Sequence, residues 1–321
     1  MTRVLTRFRA CWLGLAALLA AAVPAAAQSY PSQLVKIVVP FSAGSVTDIM
    51  ARILAEEMSQ RWGQKVIVEN RPGISGMVAV AQAKPDGYTL MLTSNGHTVA
   101  GLTNKDANFD PVRDFAGITR VCSAPYVLIV NPEVKANSLK ELIAVAKENP
   151  GKYNFSSPGL ASSTFIGGAL FRKAAGINVV HVPYKGAPES VMAVLRGEVQ
   201  FYFAPINLAK ELAEAGKVRA LAVATPARNP SMPNVPTFAE AGMPFTYDGW
   251  FGLIAPKGVP QDIIARINKD VVAALHSTGV QEKLAQQFVI PVTDTPEAFD
   301  KIIRDETANL TQVFKEAGIG N

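Results

Sequence analysis

Short apolar runs rich in β-branched residues alternate along the chain with stretches whose apolar residues recur at helical spacing. Runs of this length, bounded by glycine, proline or polar clusters, are typical of strands. We predict strands at 34–39, 65–69, 88–93, 126–131, 152–156, 178–182, 199–203 and 218–224. The repetition of strand, helix and strand predicts an α/β fold with parallel sheets and helices on both faces.

Helical spacing is clearest in the stretch 47–62. Met50 and Leu54 lie there on one predicted face, and Gly63 follows as a C-terminal stop. Ser138 begins a capping box for a later helix. From residue 260 onward the pattern is almost entirely helical.

The late helices have no strand of their own, so they need a surface to cover. The stretch 247–258 precedes them and predicts a strand that returns the chain to the first domain. We therefore expect a discontinuous first domain, 28–125 plus 249–321, and a second domain, 126–248, inserted in it. Two crossings between two α/β domains form a hinge, and the cleft between the domains is the natural ligand site.

The first 27 residues have the pattern of a secretory signal peptide. Arg3, Arg7 and Arg9 precede a short apolar segment, 12–23, and small residues end it. We expect cleavage near Ala27. A transmembrane anchor is the alternative, but the apolar segment is too short to span a bilayer.

Charge and cysteine content limit the function classes. The chain has a net charge of +5, which the three arginines of the signal raise from +2. So small a charge gives no support for binding nucleic acid. Cys122 is the one cysteine after the signal, which excludes an intramolecular disulfide.

The motifs of common enzyme classes are missing from the sequence. There is no HExxH, CxxC, G-x-S-x-G elbow, P-loop or GxGxxG in the first unit, and the three histidines are scattered. We expect neither an enzyme nor a cofactor, and we propose no catalytic or metal-binding residue.

Three loops rich in Ser, Thr and Gly follow predicted strands at the point where a helix begins: 40–48, 93–98 and 156–164. Ligands bind at that edge of doubly wound sheets, and the N–H groups at helix N-termini suit carboxylate or phosphate. Helix capping alone would explain any one loop, whereas three on one edge favour a site. Asp48 is expected to be a cap and an orienting group. Lys185 and His97 are better explained as a solvated lysine and a polar loop residue.

The ordered motifs resemble one known family. YPSQLVKIVVPFSAGSVTDIMAR, VIVENRPGISG, KPDGYTLML, NFSSPGLASST, VVHVPYKGAPESVMAVLRGEVQ and WFGLIAPKGVP together extend over the whole mature chain. They resemble the Bug family of periplasmic solute-binding proteins, the TctC-type receptors of tripartite tricarboxylate transport systems. The resemblance implies a type II periplasmic binding protein, with two doubly wound α/β domains joined by a two-crossing hinge.

The resemblance also implies a role and a site. It implies a monomer that captures a small organic carboxylate and delivers it to membrane permease subunits. Carried over by position, loop 42–48 would hold a ligand carboxylate from the first domain, and 157–164 would approach from the second. The candidate ligand residues are Ser42, Gly44, Ser45, Thr47, Asp48, Ser94, Asn95, Ser157, Gly159, Ser162, Ser163, Thr164, Tyr184, Asn207 and Trp250.

Two positions depart from the family pattern. Ser42 and Ala43 replace the Pro and Gly that often precede Gly44, and no acid follows the strand at 199–203 where family members commonly have Asp. The second departure favours a ligand without an amine, and a dicarboxylate is the first expectation. An aromatic acid stays open, as do two other functions: a receptor for a sensor kinase and an exported hydrolase.

Overall fold

Ten strands form one hydrogen-bonded network among residues 30–104 and 107–316, the residues that this computed structural model describes. The strands are β1 (Val35–Val39), β2 (Val66–Asn70), β3 (Thr89–Ser94), β4 (Phe115–Val130), β5 (Asn154–Ser157), β6 (Val180–Pro183), β7 (Phe201–Pro205), β8 (Arg219–Val223), β9 (Asp248–Pro256) and β10 (Ile290–Pro291). The predicted signal peptide and its cleavage site lie outside the described residues.

The helices surround these strands. They are α1 (Val46–Trp62), α2 (Ile74–Ala81), α3 (Ala100–Thr103), α4 (Leu139–Glu148), α5 (Ser163–Ala175), α6 (Ala187–Leu195), α7 (Ile206–Glu214), α8 (Gln261–Leu275), α9 (Thr278–Gln286) and α10 (Pro296–Glu316), with a 3₁₀ turn at Asn95–Val99. None of the helices within the described part of the chain has the length and apolarity of a membrane span.

The strand order is β2-β1-β3-β9-β4-β7-β5-β6, with β8 and β10 also paired to β4. β1 pairs in parallel with β2 and β3, and β5 pairs in parallel with β6 and β7. These two parallel groups belong to a first and a second sheet that share the long strand β4. The sheets are mixed rather than purely parallel, because β4 and β9 run antiparallel to their neighbours.

Local signals explain where α1 begins and ends. The Ser45 side chain accepts a hydrogen bond from Asp48 N, and Gly63 ends the helix in the left-handed conformation with φ of 63°. Ser138 is the N-cap of α4, as predicted, and Ser138 Oγ accepts from Glu141 N. The reciprocal contact differs from a capping box, because Glu141 Oε2 accepts from Asn137 N instead of Ser138 N.

The C-terminal helices cover the first sheet. The Phe299 ring of α10 lies on Gly252 of β9 and meets the Trp250 ring edge to face, with the ring centroids 5.0 Å apart. A side chain larger than hydrogen at position 252 would occupy the space of the Phe299 ring. This packing fixes α10 beside the 3₁₀ turn that follows β3.

Candidate functional site

The three predicted Ser/Thr/Gly loops meet around one small cavity. Its volume is about 30 Å³, enough for about one water molecule. The lining residues are Phe41, Ser45, Val46, Thr47, Ser94, Tyr126, Pro158, Ser162, Ser163, Thr164, Ala187, Pro205 and Phe251. The cavity therefore joins the end of β1, the end of β3 and the loop after β5, as the sequence predicts.

Helices α1 and α5 begin at this cavity, as does α6 with its first residue, Ala187. The first turns of α1 and α5 both contribute lining residues, Val46 and Thr47 from one helix and Ser163 and Thr164 from the other. The N–H groups of a first helical turn have no acceptor within the helix, and the helix dipole adds positive potential there. The cavity thus has two sources of positive potential.

Ser45 and Ser162 hold these helix ends in place. Each side chain accepts a hydrogen bond at 3.2 Å from the backbone N–H three residues later, at Asp48 and Phe165. Ser162 Oγ also donates to Gly159 O at 2.7 Å, which fixes the loop before α5. The two serines therefore serve as helix caps while they line the cavity.

Two buried hydroxyl groups lie on the cavity wall, and that of Tyr126 is close to the Ser163 side chain. Ser94 Oγ and Tyr126 OH are buried and have no hydrogen bond of good geometry to any described residue. Burial raises the pKa of Tyr126 well above its usual value, so its hydroxyl keeps its proton. A buried hydroxyl without a partner is unfavourable, and a ligand oxygen would relieve that penalty.

Asp48 is engaged away from the cavity lining. Its carboxylate accepts from Gly44 N and Asn70 Nδ2, both at 2.9 Å, and pairs with Arg52 at 2.9 Å. Although burial acts to raise the pKa of Asp48, the bonds from Arg52, Gly44 and Asn70 hold it below its usual value. Asp48 therefore shapes the first loop as an anion, in agreement with the orienting role expected from the sequence.

Asn95 joins the 3₁₀ turn to the start of α5. Asn95 Oδ1 accepts a hydrogen bond from Ser163 Oγ, and Asn95 Nδ2 donates to Tyr247 OH at 3.2 Å. Next to it, Gly96 lies directly against the backbone of Ala161 and Ser162, where even a Cβ would collide. The 3₁₀ turn and the start of α5 thus meet here through backbone, hydroxyl and amide groups.

Other candidates lie around the cavity without lining it. Ser42 Oγ donates to Glu189 Oε2 at 2.9 Å, so the departure from the family pattern makes a contact with α6. Gly159 and Tyr184 line an adjoining groove of about 310 Å³, which shares Phe41 and Pro158 with the cavity.

Ser157, Asn207 and Trp250 have structural partners instead. Ser157 Oγ contacts His181 Nε2 at 2.7 Å, Asn207 Nδ2 donates to Gln287 Oε1 at 3.3 Å, and Trp250 Nε1 donates to Glu306 Oε2 at 2.6 Å. The serine–histidine pair resembles part of a catalytic site, but Ser157 is fully buried and does not line the cavity.

Sequence reasoning missed the apolar wall of the cavity. Phe41, Tyr126 and Pro158 line it, yet each resembles an ordinary core or loop residue in the sequence. All described residues that line the cavity carry neutral side chains. Within the described ranges, no group of three or more His, Cys, Asp or Glu residues is placed to hold a metal ion.

Comparisons with known proteins agree with this architecture. The family model described as tripartite tricarboxylate transporter family receptor matches residues 50–319. Protein BugT of Bordetella pertussis is 36% identical over 303 residues, which are 92% of this chain and 93% of BugT.

Solved structures with the same fold include two that hold ligands. The periplasmic binding protein BugD superposes with a TM-score of 0.84 at 31% identity, over 91% of this chain and 99% of BugD. Rpa4515 of R. palustris with adipate gives 0.83 at 32%, with coverage of 91% and 99%. MatC of Rhodopseudomonas palustris with bound malate gives 0.82 at 29%, with coverage of 88% and 99%.

Proposed function

Because this chain belongs to the tripartite tricarboxylate transporter receptor family, a family of solute-binding receptors and not of enzymes, we propose that it captures a small dicarboxylate. The ligand would bind in the cleft that contains the cavity and would be delivered to membrane permease subunits of a tripartite tricarboxylate-type transporter. The observation that carries this proposal is the meeting of the α1 and α5 N-termini with the buried hydroxyls of Ser94 and Tyr126 at one cavity.

The cavity suits a carboxylate held by neutral donors. First-turn residues of α1 and α5 and the hydroxyl-bearing Ser94 and Tyr126 line a space without a charged side chain among its described lining residues. Such donors bind an anion without the desolvation penalty of burying a lysine or arginine beside it. Since the cavity now has room for about one water molecule, it must widen slightly to admit a carboxylate.

The adjoining groove supports a second part of the ligand. Ile74, Met77 and Leu160 give it an apolar wall, and the exposed Lys185 lies at its rim. A short aliphatic chain would pass along the apolar wall, and a second carboxylate would reach Lys185 or solvent. The relatives solved with adipate and malate both hold dicarboxylates.

An amine on the ligand is disfavoured. Neither Asp nor Glu occurs among the described residues that line the cavity and the groove. An ammonium group buried there would have no carboxylate partner and would lose its hydration. We therefore propose a ligand that lacks an amine.

Binding would work by population shift between an open and a closed form. We propose the domains 28–125 plus 249–321 and 126–248 as the moving bodies, with β4 and β9 as the two crossings. A ligand that contacts both bodies only when they are closed favours the closed form. A closed, loaded receptor is the form that a permease would recognise.

Calorimetry with succinate, malate, adipate, aspartate and benzoate tests the proposal. Succinate and aspartate form a matched pair that differs by one amine. We expect at least one dicarboxylate to bind and to raise the melting temperature, and aspartate to bind more than tenfold more weakly than succinate. No binding by any member of the panel would refute the carboxylate assignment, and equal binding of succinate and aspartate would refute the argument about the amine.

Protein purified from the periplasm of its native host tests the identity of the ligand, the oligomeric state and the cleavage site. Native mass spectrometry would report the bound ligand and the expected monomer together. Sequencing of the N-terminus would check cleavage near Ala27, which we propose as the export step.

A further inference from the structure

The carboxylate of Glu306, on α10, holds two donors from elements beside the cavity. Oε1 accepts a hydrogen bond from Asn95 Nδ2 at 2.8 Å, and Oε2 accepts one from Trp250 Nε1 at 2.6 Å. An ionised carboxylate is an acceptor only, so it satisfies both donors at once. Burial raises the pKa of Glu306, while the bonds from Asn95 and Trp250 oppose that effect.

The Asn95 carboxamide has two chemically different ends. Its oxygen accepts from Ser163 Oγ at the start of α5, and its nitrogen donates to Glu306 and to Tyr247 OH. Tyr247 OH in turn donates to Ser163 O at 2.7 Å. A continuous set of hydrogen bonds therefore runs from α10 through Asn95 to the first turn of α5.

Glu306 decides which way the carboxamide faces. If the Asn95 amide were reversed, its oxygen would face the Glu306 carboxylate, and two acceptors would repel each other. The observed orientation leaves the amide oxygen free to accept the Ser163 proton. If the orientation of the Asn95 amide is fixed before Asn95 and Ser163 meet, less conformational entropy is lost when the hydrogen bond between them forms.

We propose that Glu306 is a positioning residue for closure: it orients Asn95 so that the bond to Ser163 forms when the cleft closes. The inference rests on the proposed function, since the contact it describes closes the ligand cleft. Glu306 does not line the cavity, so it acts through Asn95 rather than on the ligand.

Closure can be measured without a ligand by a disulfide reporter. A Cβ at Gly186, which has extended backbone, would lie 2.9 Å from Ser42 Cβ. Disulfides need a Cβ separation of about 3.5–4.5 Å, so Ser42→Cys with Gly186→Cys should cross-link with only slight widening. Cys122 is buried and its pKa is raised well above the usual value, so it should not compete.

The test compares cross-linking rates by oxidised glutathione at pH 8, in protein unfolded, dialysed and refolded to remove bound carboxylates. Glu306→Gln should slow the reaction about tenfold, because glutamine can accept from only one of the two donors and meets the other with its own N–H groups. An unchanged rate in a folded Glu306→Gln protein would overturn the proposal.

A double variant that exchanges the carboxylate and the amide between positions 306 and 95 tests whether Glu306 orients residue 95 or only supports the structure around it. In Asn95→Asp with Glu306→Gln, the new carboxylate accepts from Ser163 and from the glutamine amide, while the glutamine oxygen accepts from Trp250. We expect the double variant to cross-link within about threefold of the unswapped protein, although each single variant is slower. A double variant slower than both single variants would overturn the proposal.

Glu282→Gln, an exposed position on α9, is the matched control and should leave the rate unchanged. Circular dichroism and urea unfolding establish that each variant is folded. Because the reporter needs no ligand, a carboxylate panel without a binder would refute the proposed function and leave the cross-linking result interpretable.

Discussion

Hydroxyl groups provide the side-chain binding chemistry at the residue scale, and Ser94 is the clearest case. Ser94 Oγ lines the cavity without a partner among the described residues, so its removal deletes no hydrogen bond of the protein itself. We expect Ser94→Ala to weaken dicarboxylate binding about fivefold, one lost hydrogen bond, and to leave stability unchanged or slightly higher. Calorimetry with the tightest ligand of the panel and urea unfolding measure the two effects.

Thr93 offers a matched control for Ser94. Thr93 Oγ1 is also buried without a partner within the described structure, but Thr93 does not line the cavity. Thr93→Val removes that hydroxyl and keeps the shape of the side chain. Binding should then match the wild type, and an equal loss in both variants would mean that the strand, not the Ser94 hydroxyl, explains the effect.

His97 makes stability depend on pH. The ring is fully buried between Phe109 and Phe115, Nε2 contacts Pro111 O at 3.0 Å, and burial lowers the pKa of His97 to about 4. The unfolded imidazole protonates below pH about 6.5 while the native one stays neutral, so stability falls as the pH drops from 6.5 towards 4. The expected loss from His97 is about 2 kcal/mol at pH 5.

Urea unfolding at pH 7.5 and pH 5 measures this effect as a difference between proteins. His97→Gln should reduce the loss between the two pH values by about 2 kcal/mol, because the other titrating groups remain in both proteins. The exposed His276→Gln serves as the control. The same pH dependence in His97→Gln and wild type would contradict the assignment.

At the scale of elements, the apolar pattern predicted the strands that alternate with helices but missed the first half of the long strand β4. The sequence predicts 126–131, whereas β4 begins at Phe115. Gly117, Arg120 and Pro125 interrupt the alternation, and the register with β9 shifts twice in this region. Bulges change which side chains face the core, so a strict two-residue period fails there.

Short helices were also hidden in the sequence. The segment of α2 reads ISGMVAVA, and its β-branched residues suit a strand as well as a helix. The loops of the site were easier to predict, because a cluster of Ser, Thr and Gly directly after a strand is typical of a turn that leads into a helix. That the loops meet at one cavity depends on tertiary packing, which local sequence patterns do not show. The apolar residues that complete the cavity wall have no distinctive sequence pattern.

Helix capping can be separated from ligand binding by comparing two serines. Ser45 caps α1 at the cavity, and the half-buried Ser138 caps α4 away from the cavity, with the same 3.2 Å contact. Both Ser→Ala variants should lose about 1 kcal/mol of stability. Only Ser45→Ala should also weaken dicarboxylate binding, about fivefold, because α1, unlike α4, has first-turn residues that line the cavity.

Calorimetry measures the dicarboxylate affinity of the two variants, and urea unfolding measures their stability. Together they show whether the loss of a helix cap is enough to weaken binding. A loss of affinity in Ser138→Ala would show that general destabilisation lowers binding. Full affinity in Ser45→Ala would remove the α1 terminus from the proposed site.

At the scale of the whole molecule, contacts between residues that are far apart in the chain could not be predicted from the sequence. Ser42 meets Glu189, 147 positions later, and Asn95 meets Ser163. These pairs depend on how the first and second sheets face each other, which no local pattern encodes. Ser42, which stands where the family often has proline, thus donates a hydrogen bond to Glu189 of α6 instead of only shaping its turn.

Gly96 provides a substitution that should act on closure alone. It lies in the 3₁₀ turn without a positive φ, so alanine suits the local backbone, but its Cβ would collide with the peptide between Ala161 and Ser162. That collision occurs only when the 3₁₀ turn touches the loop before α5. Gly96→Ala should therefore fold normally, remain open and bind dicarboxylate at least tenfold more weakly, since the ligand would meet only one side of its site.

Small-angle scattering and calorimetry together test this expectation. The radius of gyration of Gly96→Ala with saturating ligand should match that of the ligand-free protein, whereas the wild type should become more compact. Gly101→Ala, where a Cβ comes no closer than 3.4 Å to Phe109 O, is the control for adding a methyl group to the same region. Wild-type affinity and full compaction in Gly96→Ala would mean that Gly96 does not touch Ala161 and Ser162 in the bound form. The contact at Gly96 would then play no role in closure.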